Sequence, residues 1–185
     1  MLEAMNATLE APPTEERRRM TPEEFDGLPD AADVDRWIID GRLYEQPMTS
    51  RSHPHGGTEV NIAFHLKLWM RQQSTPPGRV FGGEAGFYLR REPLTKVGID
   101  VAYVTNDQTA ATSPNAAYIE GAPLLAVEIM SPSDDFESTT DKINAYLQAG
   151  VASDAAPRAF GVGDELTAEP HLPGFRVAVA EVFAR

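Results

Sequence analysis

Cysteine is absent from all 185 residues. Without thiols the chain can build neither a disulfide framework nor a thiolate zinc site. No apolar run approaches the roughly 20 residues that span a bilayer, and the N-terminus lacks the apolar core of a signal peptide. A cytoplasmic protein with no membrane partner is therefore expected. Positive charge is also scarce, with 16 Lys and Arg against 28 Asp and Glu and a net charge of -12. Most nucleic-acid binders carry a basic patch, so this acidity argues against tight nonspecific binding to a phosphate backbone. It leaves open an enzyme in which a bound cation offsets repulsion between site carboxylates and phosphate. The length suits one domain with a real core.

The stretch from Lys96 to Gly150 organises the rest. Residues 97–104 (VGIDVAYV) and 124–130 (LLAVEIM) read as short strands, rich in β-branched and apolar residues and bounded by Gly, Pro, Asn and Ser. Each carries one acid near its middle. Side chains alternate across a strand, so Asp100 shares a face with Gly98, Ala102 and Val104, and Glu128 shares one with Leu124, Ala126 and Met130. A lone carboxylate on such a face is costly unless it is neutral, paired or bound to a cation. On adjacent strands the two acids could hold one hard divalent metal between them. The plain alternative for each is an edge position facing water. A lysine at position 130 would bring its ammonium beside both acids, but the residue there is Met130. Lys142, in the helix that follows, has a stem long enough to supply the missing cation.

Along the chain, residues 1–19 read as a disordered leader whose arginine run is solvated. Thr21-Pro22-Glu23-Glu24 is a helix start, with a capping Thr and Pro at the first helical position, and the helix ends before Pro29. Residues 37–44 predict a hairpin turning at Asp40-Gly41. Met48 to Gly57 reads as a loop carrying His53 and His55. With no third ligand nearby, those two histidines make a poor metal site. From Thr58 to Gln73 the spacing is helical, with Ile62, Leu66 and Trp69 on one face widened by Ala63 and Met70. Glu59 stands at the N-terminal end of that stripe, where an acid complements the helix dipole. Arg79 to Arg90 reads as a strand, and Gly82-Gly83 suggests a bulge just before Glu84. Arg90, Arg91 and Lys96 form the most plausible local basic patch for phosphate. Thr105 to Gly121 is a polar connection without evident chemistry. Ser138 to Asp141 opens a second helix, with Ile143, Tyr146 and Leu147 as its stripe and Gly150 as its end.

Residues 98–104 (GIDVAYV), 125–133 (LAVEIMSPS) and 141–151 (DKINAYLQAGV) together resemble the Uma2 family of restriction endonucleases, which belongs with the PD-(D/E)XK nucleases. The resemblance extends to residues 20–25, 39–43, 53–56, 172–177 and 181–183, most of the span from 20 to 185. It implies an α/β (α+β) fold with a restriction-endonuclease-like mixed central sheet flanked by helices and extended by the N-terminal hairpin, in a single domain over 20–185. The implied activity is hydrolysis of DNA phosphodiester bonds with Mg2+ or Mn2+. Asp100, Glu128 and Lys142 would be catalytic, with Asp100, Glu128 and Glu84 on the metal. His55 and Glu59 would lie near substrate or behind the metal ligands.

One departure from the family pattern follows Val151. Where relatives carry an apolar strand and then another, residues 152–160 (ASDAAPRAF) show none, so the domain is expected to be shortened there. A strand missing beside the Glu128 strand would leave an apolar edge, which a second subunit could cover. The alternative function is a noncatalytic interaction module that keeps the scaffold without turnover.

Overall fold

The structure, a computed structural model, describes residues 19–29, 34–47, 53–74, 78–130, 136–151 and 158–184. The expected leader, except Arg19, lies outside the described residues, as do residues 131–135. Helix α1 (Pro22–Asp26) begins as its sequence predicts. Thr21 and Glu24 form a reciprocal capping box, with Pro22 in the first turn. Strands β1 (Val34–Ile39) and β2 (Arg42–Pro47) form the hairpin, in which Asp40 and Gly41 adopt φ of 51° and 76°. Two consecutive positive φ values match the twist of the flanking strands, which is why Asp-Gly serves there.

Helix α2 spans His53–Gln72, so it starts earlier than its apolar stripe suggests. The expected loop at 48–57 is corrected to helix from His53 onward. Pro54 is tolerated in a first turn, and the Thr58 hydroxyl donates to the Pro54 carbonyl at 2.9 Å. Ile62, Leu66, Trp69 and Met70 are buried, as the stripe predicts, and pack with Val101 and Tyr103. Strands β3 (Gly78–Arg90) and β4 (Thr95–Thr105) form the long central pair, antiparallel throughout. Between Gly82 and Ala85 the register slips by one residue, with Gly83 at φ 75° and Glu84 at φ 56°. This is the bulge that the paired glycines foretell.

The polar connection after β4 is more ordered than its composition suggests. Thr105 caps a short helix, α3 (Asn106–Ala111), and β5 (Ile119–Glu120) runs parallel to β3. Strand β6 is only Leu125–Val127, shorter than the expected 124–130, and pairs antiparallel with β4. Helix α4 (Phe136–Ala149) starts before Ser138, so Ser138 to Asp141 lie within the helix and do not open it. Strands β7 (Glu165–Thr167) and β8 (Arg176–Ala178) make a separate two-stranded sheet, followed by the single turn α5 (Val179–Val182).

The main sheet is mixed, in the order β2-β1-β4-β3-β5, with β6 also on β4. Since β3 lines one edge of β4 along its length, β1 and β6 share the other edge. β1 pairs near the start, at Lys96, and β6 near the end, at residues 101–103. Among the described residues no strand pairs with the outer edge of β6. Residues 158–164 contain no strand.

The three cations grouped in sequence do not form an open patch. Arg90 pairs with Asp40, Arg91 with Glu120, and Lys96 with Asp26 at 3.0 Å. Lys96 is buried among the rings of Phe25, Tyr88 and Tyr118, where it ties α1 to the sheet. Among the described residues no helix is long and apolar enough to cross a membrane.

Candidate active site

The register of β6 on β4 sets Ala126 opposite Ala102 and Val127 opposite Val101. Continued one step, it carries Glu128 opposite Asp100. Cross-strand partners project to the same face, so the register directs two acids 28 positions apart toward one another, close enough for Asp100 to raise the Glu128 carboxyl. Asp100 is only 4% exposed. The chain leaves the ladder after Val127, and the Ile129 amide turns in to donate to Asp100 Oδ2 at 2.8 Å. His55, from the first turn of α2, places Nε2 3.3 Å from Asp100 Oδ1.

Glu128 is held from α4. Lys142 Nζ lies 3.1 Å from Glu128 Oε2, and the Tyr146 hydroxyl donates to Oε1. Lys142 and Tyr146 are four apart on one helix, so their side chains meet the same target. The Glu128 carboxyl is pushed up from its ordinary range, chiefly by burial and further by the charge of Asp100. Lys142 and Tyr146 pull it partly back. Tyr146 is raised well above an ordinary phenol by burial and by Glu128, so it remains a donor.

The remaining candidates gather around the bulge. Glu59 Oε1 accepts the amide of Gly83, so this acid braces the bulge from α2. It sits in the helix's second turn. Glu84 lies beside Gly98. A Cβ placed on Gly98 would approach the Glu84 Cβ to 3.2 Å and Oε2 to 3.6 Å. Gly98 thus makes room for Glu84 two residues from Asp100. The side chain of His53 lies outside the described residues. Among the described residues no group of three or more His, Asp or Glu is arranged to hold a metal ion.

Sequence reasoning places Tyr146 in the apolar stripe and misses its hydroxyl. Its spacing of four from Lys142 is the signal that could have found it. A support for Lys142 was also missed. Tyr44 of β2 stacks on Trp37 of β1, with centroids 5.5 Å apart, and donates to Asp141 Oδ2 at 2.7 Å. Lys142 Nζ stands 5.8 Å from the Trp37 ring centroid. The hairpin therefore grips α4 at the residue preceding the lysine. Burial and the Asp141 carboxylate push the Tyr44 phenol up to about 12.

An α/β domain with a mixed sheet, a buried Asp100 on β4 and a half-buried Glu128 just past the end of β6 has the architecture of a nuclease fold. It is shared with the crystal structure of a putative nuclease belonging to DUF820 from Anabaena variabilis ATCC 29413, at TM-score 0.68 and 16% identity. The match covers 89% of this chain and 97% of that one. The model of the Uma2 family, described as putative restriction endonuclease, matches residues 22–153, and the chain belongs to that family. A search of curated proteins gave no match.

Proposed function

We propose that the chain is a metal-dependent nuclease that hydrolyses phosphodiester bonds in DNA. The observation that supports this is the nearness of Asp100 on β4 to Glu128, one residue past β6, with Lys142 on the Glu128 carboxylate. The donor set fits a hard divalent cation: the oxygens of a buried Asp100 and a half-buried Glu128, whose carboxyl stays raised by burial in spite of the Lys142 ammonium. Asp100 and Glu128 would hold Mg2+ or Mn2+, with Glu84 beside Gly98 as a third oxygen ligand. When bound, such an ion lowers the pKa of a water and neutralises phosphate charge.

The chain's own groups then have separate tasks. His55, with its proton on Nε2, donates to Asp100 and fixes the carboxylate's orientation, as does the Ile129 amide. Lys142 offers an ammonium to the charge that develops on the phosphate oxygens. Tyr146 holds Glu128 in place as an uncharged donor. Glu59 maintains the bulge that presents Glu84. In the reaction one water is consumed. Its oxygen bonds to phosphorus, the bond from phosphorus to the sugar oxygen breaks, and that oxygen leaves with a proton as an alcohol.

The test is cleavage of plasmid and linear DNA by the purified protein with Mn2+ or Mg2+. Activity should be abolished by EDTA and by Asp100→Ala, and its absence on all DNA substrates would defeat the reading. A second reading, a noncatalytic module on the same scaffold, is favoured by one observation. Glu128 already has an internal cation in Lys142, and the described residues show no three-ligand cluster. Such a module would bind no metal at Asp100 and cut nothing.

A further inference from the structure

An apolar cleft of about 550 Å³ opens beside the acid pair, between β6 and α4 on one side and the C-terminal segment on the other. Glu128 of the acid pair and Tyr146, which donates to it, both line this cleft, and Ile143, Leu147 and Leu166 contribute apolar lining. The aromatic ring of Phe160 also lines it, and the Arg158 guanidinium lies 4.9 Å from that ring's centroid. The volume falls within the range of pockets that enclose a small organic group.

We infer that this cleft receives an unpaired base of the substrate strand, making the preferred substrate nucleic acid that is single-stranded or locally unpaired beside the bond cut. The inference rests on the nuclease reading and names its substrate class. Two observations select a base as occupant. The cleft shares Glu128 and Tyr146 with the proposed site, so a nucleotide adjoining the scissile bond can reach it. The chain also carries a net charge of -12, and several of its cations, among them Arg90, Arg91, Lys96 and Lys142, are engaged by acids. Such a surface gains little from neutralising phosphates along a duplex. Affinity must then come from the base itself, through stacking on Phe160 and burial against the aliphatic lining. A base inside a duplex presents neither face and would have to be unstacked first.

The experiment uses the full chain and three fluorescein-labelled oligonucleotides: a 12-residue single strand, its matched duplex, and a duplex with one mismatch. Affinities are measured by anisotropy in Ca2+. The single strand and the mismatched duplex should bind at least about tenfold more tightly than the matched duplex. Phe160→Ala should weaken single-strand binding by about tenfold or more and leave the matched duplex unchanged. Leu147→Trp, which fills the cleft from α4, should do the same in a protein whose thermal melt shows it folded. Equal affinity for all three, including binding to none, overturns the inference, as does single-strand affinity unmoved in both variants. Cleavage in Mn2+ is scored separately. Equal cutting of matched duplex and single strand would leave the nuclease reading intact and still remove this one.

Discussion

Lys142 Nζ stands 3.1 Å from Glu128 Oε2, although Glu128 follows β6 and Lys142 lies in α4, 14 positions further along the chain. Met130 lies three residues past the end of β6, where the sequence leads one to look for a lysine beside the acids, and it is 53% exposed. On the proposed nuclease reading, Lys142 supplies from α4 the cation that position 130 lacks. Lys142→Met should then lower Mn2+-dependent cleavage by about a hundred- to a thousandfold, the usual cost of removing one charge-stabilising donor. Mn2+ affinity should fall by less than tenfold or improve, since the lysine competes for Glu128. Metal binding lost along with activity would mean that Lys142 is needed to build the site itself.

Glu128 offers a test of sign. Its carboxyl is raised, mainly by burial. Between the ordinary glutamate range and the raised value, the native state holds the proton more tightly than the unfolded chain does. This site's contribution to stability therefore falls as pH rises through that window. Glu128→Gln should be at least as stable as the parent at pH 8, with its relative advantage disappearing below about pH 4. Urea denaturation at the two pH values reads this directly. A loss above about 1 kcal/mol at pH 8 would show that the Lys142 pair outweighs the cost of burial.

Tyr44 connects the N-terminal hairpin to the lysine helix. Tyr44→Phe removes the hydrogen bond to Asp141 while keeping the stack on Trp37, and should cost about 1 kcal/mol at pH 7. With the phenol raised to about 12, the parent's advantage is complete below pH 10 and fades between 10 and 12. Loss of kcat without change in KM would mark Tyr44 as a positioning residue for Lys142. Denaturation across that pH range and steady-state kinetics at pH 8 check both parts.

Much of this arrangement could be read from residues alone. The capping box at Thr21, the Asp-Gly hairpin, the α2 stripe and the bulge at Gly82-Gly83 are local signals, each set by a few neighbouring residues. Asp100 and Glu128 stood out because an acid amid apolar alternation requires explanation. What was not legible depended on distant partners. The early start of α2 at His53 runs against the glycines at 56 and 57. The pairing of Arg90, Arg91 and Lys96 depends on acids 29 to 70 residues away in the chain. The hydroxyl of Tyr146 was hidden by the apolar character of its ring.

The bulge can be probed through its glycine. Gly83 has φ 75°, where a side chain is strained, and its amide binds Glu59. Gly83→Ala should cost about 1 kcal/mol through backbone strain. Cleavage should fall more than stability does, because Glu84 is presented by the same turn. A thermal melt and a cleavage assay on one preparation separate the two effects, and unchanged cleavage would remove Glu84 from the site.

The most direct measurement is a calorimetric titration of Mn2+ into the parent protein, Asp100→Asn and Glu128→Gln, with folding verified by circular dichroism. The account predicts one ion bound per chain in the parent and binding weakened at least about tenfold in each variant. Absence of Mn2+ binding in the parent, or equal binding in all three folded proteins, would contradict it.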